Sequence, residues 1–408
     1  MSEPALTADL CLKCNICTAA CPVAAATDLF LGPKAVGPQA ERYRHPRLPL
    51  PDRTVTWCSG CGTCSRVCPH GVAVAEINIQ AKARLAEEGH VPLRDQLISR
   101  PDLLGKLGSP FAPLANLALG LRPARWAMEK VIGIHRNAPM PAFIQRSLRK
   151  RVPERCVTRP PEAGSRTALT VAYFHGCGTN YYEPDLGVQT IAVLELLGCQ
   201  VVLPRQGCCG LPLQSNGLFD GARGYARVNI DALFPFAEAG IPIVGTSTSC
   251  TLALKHDYRK ILGMTGNDVE TVAENTFDLF EFLTTRLEEA LDRLPLGPVP
   301  GRALYHAPCQ LRAHGIGTPA LQILRRIPEL QLTYSESDCC GVAGTYGLKQ
   351  EKFDVAYAVG QGLFDQTRKV EADFVISDSE TCRWWIAGHT KLPAYHPVEI
   401  LARALGLA

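Results

Sequence analysis

Four cysteines, Cys58, Cys61, Cys64 and Cys68, are separated by two, two and three residues and followed by Pro69. No other stretch constrains the chain as much. C-x2-C-x2-C-x3-C-P is the spacing of an iron–sulfur run, in which three closely set thiolates serve one cube and the fourth reaches a second. A lone copy would leave both cubes incomplete. The required second copy stands at Cys11, Cys14, Cys17 and Cys21, followed by Pro22. The spacing predicts that Cys11, Cys14, Cys17 and Cys68 hold one [4Fe–4S] cluster, and that Cys21, Cys58, Cys61 and Cys64 hold the other. Structural zinc sites use paired C-x2-C knuckles instead.

The chain has 408 residues and 18 cysteines. That length suits two to four domains rather than one core. A disulfide scaffold of this cysteine content would be short and secreted, whereas Met1–Thr7 has no basic segment leading into an apolar stretch. The expectation is a reducing compartment and thiols that bind metal. Net charge is +3, but residues 94–156 carry twelve Lys/Arg against four acids, a local +8, leaving −5 elsewhere. A basic island in a slightly acidic chain points to an acidic partner or a membrane surface. No nucleic-acid signature accompanies it, and no nucleic-acid partner is expected.

Four regions follow. Residues 1–90 form the two-cluster module, with a helix expected from Ile77 and stopping at Gly89, and with Pro/Gly-rich connections at 31–38 and 46–52 between the cysteine runs. Residues 91–165 are a basic connecting segment. Its apolar stretch Pro110–Leu121 spans twelve residues, too few to cross a bilayer. Leu117, Leu119, Leu121, Trp126, Val131 and Ile134, interleaved with Arg122, Arg125, Lys130 and Arg136, fit an amphipathic segment lying in a membrane plane, or a helix pair packed on the rest of the protein.

Residues 166–298 and 299–408 are an internal duplication. Cys177, Cys208-Cys209-Gly210 and Cys250 recur as Cys309, Cys339-Cys340-Gly341 and Cys382, at offsets of 132, 131 and 132. Flanking residues repeat too: Phe174-His-Gly-Cys177 answers Tyr305-His-Ala-Pro-Cys309. Each copy alternates strand and helix, starting with the buried-strand run Leu169–Phe174 and its counterpart at Ala303. This predicts parallel sheets with the cysteines at the carboxyl ends of the strands. The expected fold is thus a helical ferredoxin-like two-cluster module followed by two α/β domains.

A turn next to glycine can aim adjacent cysteines at one site. Each copy then offers four thiolates: Cys177, Cys208, Cys209 and Cys250, or Cys309, Cys339, Cys340 and Cys382. Four thiolates suit zinc or an iron–sulfur cluster. Cys156 and Cys199 lie outside the repeat and read as ordinary thiols.

Two C-x2-C-x2-C-x3-C-P runs followed by two Cys-Cys-Gly domains resemble the heterodisulfide-reductase-like iron–sulfur subunits. Gly32-Pro-Lys-Ala-Val-Gly-Pro-Gln-Ala-Glu-Arg42, Gly207-Cys-Cys-Gly-Leu-Pro-Leu213 and Asp338-Cys-Cys-Gly-Val-Ala-Gly-Thr-Tyr-Gly347 carry the likeness furthest. They make the chain similar to the iron–sulfur subunits of anaerobic glycerol-3-phosphate dehydrogenases. The resemblance implies an electron-transfer subunit that accepts electrons from a flavin-containing dehydrogenase and delivers them to membrane quinone. It also implies peripheral attachment to the cytoplasmic side of the inner membrane. Glycolate- and lactate-oxidising complexes use similar subunits and are the alternative. A catalytic heterodisulfide-reductase-like role is a further one, but the family's Cys-x2-Cys ending is altered: Ser247 and Ser379 stand at its first position. No G-x-G-x-x-G after a strand and no P-loop is present, so the chain is not expected to oxidise an organic substrate itself. His175, His306 and His396 follow strands and are candidates for quinone hydrogen bonds, each with a plain structural role as the simpler reading.

Overall fold

The computed structural model describes residues 3–44, 48, 50, 52–89, 91–162 and 168–407. Much of the connection at 46–52, and the start of the first repeated domain at 166, lie outside these residues.

The N-terminal module is helical. Short helices accompany the cysteine runs at Ile16–Ala19, Pro22–Ala26 and Thr63–Arg66. The helix foreseen from Ile77 runs over Val74–Glu88, with Gly89 just past its end. Its apolar residues face three cores. Val74 and Ile77 pack with Cys17 and Cys64, Ala81 packs with Cys21 and Cys58, and Ile79 and Ala83 enter the core of the first repeated domain. A helix buried on opposite sides cannot slide without exposing one of them, so it fixes the module on the domain.

Each repeated domain carries a four-stranded parallel sheet. In the first, β1 (Leu169–Phe174), β2 (Cys199–Val202), β3 (Ile243–Gly245) and β4 (Thr276–Asp278) lie in the order β2-β1-β3-β4. In the second, β5 (Gly301–Tyr305), β6 (Leu330–Tyr334), β7 (Phe374–Ile376) and β8 (Ala394–Tyr395) lie as β6-β5-β7-β8. β1 is buried from Thr170 to Phe174, as a central strand covered on both faces must be. β4 and β8 escaped the sequence reading, because strands of three and two residues are too short for a periodicity to show. The chain turns opposite ways from β1 to β2 and to β3, so a crevice opens at their carboxyl ends, the usual place for sites in such sheets.

The two domains share one apolar core, with Val171, Tyr173 and Leu194 from the first packed among Tyr305, Ile376 and Leu401 from the second. Polar bonds cross between them as well: His396 Nε2 to the Thr246 carbonyl at 3.0 Å and His314 Nε2 to the Thr248 carbonyl at 2.9 Å.

The connecting segment folds into helices Leu93–Ile98, Pro101–Gly108, Ala112–Gly120 and Arg122–Ile132. Its amphipathicity differs from the sequence expectation. Arg125 is buried and donates to the carbonyls of Arg136, His135 and Ala138, because the turn after the helix aims these oxygens inward and a guanidinium has donors enough for all three. Buried Glu129 pairs with Arg136, and Ile134 is buried beside Lys349. Leu114, Leu117, Leu121, Trp126 and Val131 face outward instead. No helix among the described residues is long and apolar enough to cross a membrane.

Candidate metal centres

The two N-terminal cysteine runs follow one backbone path. Lys13 and Asn15 in the first, and Gly60 and Gly62 in the second, take left-handed conformations at matching places, which turns the neighbouring thiols to one side. Cys11, Cys14, Cys17 and Cys68 line one small pocket at the surface, with Lys34, Pro69 and Val72 around them, and Cys14 is exposed. Burial pushes the Cys17 thiol up, and Cys11 and Cys68 beside it push the same way. The other four lie deeper. Burial raises Cys21 to about 12, with Cys61 and Cys58 adding to it, and holds Cys64 well above the usual thiol range, with Cys58, Cys61 and Cys21 as neighbours. The structure thus places Cys11, Cys14, Cys17 and Cys68 beside one another, and likewise Cys21, Cys58, Cys61 and Cys64. Their donor chemistry fits a cluster, since a coordinated metal strips the proton from even a strongly raised thiol.

In each repeated domain the adjacent cysteines sit on a turn after the second strand. Gly210 (φ +84°) and Gly341 (φ +97°) make that turn. A Cβ at Gly341 would stand 1.9 Å from the Ala356 carbonyl oxygen, so no other residue fits there. The amide of each glycine points at the first sulfur of its pair, at 3.5 Å for Cys208 and 3.3 Å for Cys339. The remaining thiols arrive on helices that follow the neighbouring strands: Cys177 in Gly176–Tyr181, Cys250 in Thr248–Leu252, Cys309 in Cys309–His314 and Cys382 in Glu380–Thr390.

Both tetrads close up. Cys177 and Cys208 sulfurs are 3.8 Å apart, and those of Cys340 and Cys382 are 3.0 Å apart. Hydrogen bonds from Cys208 and Cys250 hold the Cys209 thiol well below its ordinary range, while Cys208 and Cys250 rise. In the second domain Cys309 and Cys340 do the same for Cys339, and Cys340 followed by His306 lowers Cys382 to about 6. Such sharing of protons among buried sulfurs prepares a site for a thiophilic cation. All eight thiols line a single cavity of about 540 Å³ between the domains, together with Cys61 from the N-terminal module. Four soft donors on each side fit zinc or an iron–sulfur cluster.

Three features around these thiols were not legible in the sequence. His306 is fully buried with neither ring nitrogen hydrogen-bonded, and it lies within 4.8 Å of the Cys340 and Cys382 sulfurs. The plain structural reading therefore fails for His306. It holds for His396, whose two nitrogens bond Val398 N and the Thr246 carbonyl. His175 is intermediate, with Nδ1 against the Gly176 carbonyl and Nε2 unpartnered. Second, Ser247, at the altered position of the first copy, donates to the Glu380 carboxylate of the second copy at 3.0 Å. Third, the two tetrads differ in their neighbours: Cys61 adjoins Cys309 and Cys339 of the second copy.

The 4Fe-4S dicluster domain family matches residues 7–72, and the Cysteine-rich domain family matches residues 171–255 and 303–387. The chain is 36% identical over 400 residues to the C-designated subunit of anaerobic glycerol-3-phosphate dehydrogenase from Escherichia coli K12, covering 97% of this chain and 98% of that one. It is 27% identical over 417 residues to the glycolate oxidase iron–sulfur subunit of the same organism, covering 97% and 93%. The D-designated subunit of the dihydromethanophenazine:CoB–CoM heterodisulfide reductase from Methanosarcina acetivorans is 24% identical over 436 residues, covering 98% and 94%.

Proposed function

Because the chain belongs to the family of the C-designated subunit of anaerobic glycerol-3-phosphate dehydrogenase, an iron–sulfur electron-transfer subunit of an oxidoreductase complex, we propose that it relays electrons from a flavin dehydrogenase to membrane quinone. Glycerol-3-phosphate is the donor's substrate in this reading, by analogy with the relative. In it, Cys11, Cys14, Cys17 and Cys68 hold the outer [4Fe–4S] cluster and Cys21, Cys58, Cys61 and Cys64 the inner one, with a further cluster or zinc at each Cys-Cys-Gly tetrad. Clusters supply one-electron carriage.

The observation that carries the reading is the sequence of thiol groups from surface to interior. It starts at exposed Cys14, passes to the deeper set, and continues from Cys61 to Cys309 and Cys339 in the shared cavity. With clusters at the tetrads, electrons would have a route along these groups, and the chain's part is to fix distances and surroundings along it. Quinone contact is supported by the apolar side chains in the cavity wall, among them Pro101, Leu104, Met140, Phe143, Tyr182 and Trp384. Tyr182 there donates to the Pro101 carbonyl at 2.8 Å, at the start of the helix Pro101–Gly108. That helix and its continuation bear exposed Leu103, Leu107, Phe111, Leu114 and Leu117 beside Lys106, a surface suited to the interface of an anionic bilayer.

Cys14→Ser tests the relay. It should abolish quinone reduction by the assembled complex and leave the dehydrogenase partner reducing an artificial dye. Quinone reduction at the wild-type rate, or loss of dye reduction as well, would refute it.

A further inference from the structure

Three lysines gather beneath Cys58. Lys82 Nζ donates to the carbonyls of Cys58 at 3.0 Å and Ser215 at 2.7 Å. Lys352 Nζ donates to the Thr56 carbonyl and lies over two aromatic rings, 5.1 Å from Trp57 and 4.7 Å from Tyr346. Lys349 Nζ bonds Asp95 at 2.7 Å and Asn216 Oδ1 at 2.6 Å. Lys349 and Lys352 are 6% and 8% exposed.

The acids nearby do not balance them. Asp95 and Glu351 are the carboxylates within reach, and Arg94 already bridges both at 2.8 Å. Four cations (Lys82, Lys349, Lys352, Arg94) against two carboxylates leave a surplus of two positive charges. Buried surplus charge is costly unless an opposite charge answers it. Lys82 has Cys58 as its thiol neighbour, and the Tyr346 ring that lies against Lys352 neighbours Cys58 and Cys21. A cube held by four thiolates is an anion in either oxidation state and gains one more negative charge on reduction.

We propose that Lys82, Lys349 and Lys352 form a cationic cage that raises the reduction potential of the cluster held by Cys21, Cys58, Cys61 and Cys64 above that of the outer cluster. The proposal rests on the ligand assignment made above. Cluster potential is set by net charge, hydrogen bonds and solvent exposure. Burial alone would disfavour the more negative reduced state and leave the inner cluster a poor acceptor from the outer one. The cage reverses that order. With both clusters bound, the fixed ammonium charges would answer the charge that the inner cluster gains on one-electron reduction, with no bond made or broken. The outer pocket has Lys34 as its lining cation, at a partly exposed position. In the first repeated domain, the segment 211–218 that follows the Cys-Cys-Gly turn has no lysine or arginine, whereas 342–352 supplies two of the three lysines. The cage therefore belongs to the inner cluster and the second domain.

The experiment is a potentiometric titration of the anaerobically purified full chain, followed by the electron paramagnetic resonance of both reduced clusters. In Lys349→Met and Lys352→Met the inner cluster's reduction equilibrium should weaken at least tenfold, about 59 mV for a one-electron couple. The outer cluster should be unmoved, and Lys352→Arg should restore the wild-type value. Inner-cluster potentials unchanged in both Met variants overturn the cage. If Lys352→Met sheds the inner cluster, Lys349→Met decides, since its ammonium bonds Asp95 and Asn216 rather than the cysteine loop. Cys64→Ala must remove the signal that the lysines shift. Survival of that signal overturns the ligand assignment, a failure distinct from an unshifted potential in a chain holding both clusters.

Discussion

Replacing Leu107, Phe111 and Leu114 together by serine should detach the chain from membranes while leaving its fold intact. These side chains are 64%, 65% and 68% exposed, on consecutive turns of the surface that runs from Pro101 to Gly120. Complete burial of such a side chain is worth about 1.5–3 kcal/mol. With two thirds of each available to the lipid, the three contribute roughly 3–6 kcal/mol, about 10²- to 10⁴-fold in partition. Lys106, Arg122 and Lys130 add about 1 kcal/mol each when the leaflet is anionic. Lys106 gives less, because it also faces Asp102 at 3.6 Å. Exposed substitutions change stability by only about 0.5 kcal/mol, so iron content and unfolding midpoint serve as controls. The assay is co-sedimentation with vesicles of phosphatidylethanolamine and phosphatidylglycerol, against vesicles of phosphatidylcholine alone. Partition within threefold of wild type in the triple variant would show that this surface does not meet lipid.

Gly341→Ala should prevent folding or cost several kcal/mol, since its Cβ would lie 1.9 Å from the Ala356 carbonyl oxygen. Gly210→Ala, at φ +84° and 3.1 Å from the Ala222 carbonyl oxygen, should cost about 1–2 kcal/mol; denaturant titration of the two variants checks the contrast. His314 is lowered to about 4 by burial, so its folded form resists protonation. Its contribution is present above the unfolded value near 6.5 and is lost as pH falls from there toward 4, up to roughly 3 kcal/mol in all. Wild type should therefore lose stability between pH 7 and pH 5 more steeply than His314→Gln, in urea midpoints measured anaerobically; parallel curves would remove His314 from the account.

The cysteine spacing made the N-terminal module, the duplication and the strand-end position of the thiols legible, because each is a local pattern repeated along the chain. What stayed hidden was tertiary. Lys82 is far in sequence from Lys349 and Lys352, and nothing local marks any of them as buried. Arg125 reads as part of a basic amphipathic face until the carbonyls of His135, Arg136 and Ala138 are seen to take its donors. The short strands β4 and β8 were unreadable from periodicity. They take shape by pairing with β3 and β7, which the rest of each domain has already positioned.

The duplication supplies matched thiols and unmatched surroundings. At the second tetrad, Cys61 stands next to Cys309 and Cys339, and His306 reaches toward Cys340 and Cys382. At the first, His175 turns Nδ1 to its own neighbour's carbonyl, and Ser247 is bound to Glu380 from across the boundary. In the proposed relay, with clusters at both tetrads, an electron leaving the N-terminal module would meet the second tetrad before the first. Two sites built alike but approached in series, with different buried groups beside the sulfurs, are not interchangeable, and a potential difference between them would give transfer across the shared cavity a direction. Sequence identity between the copies would hide that distinction, since it resides in what each copy packs against.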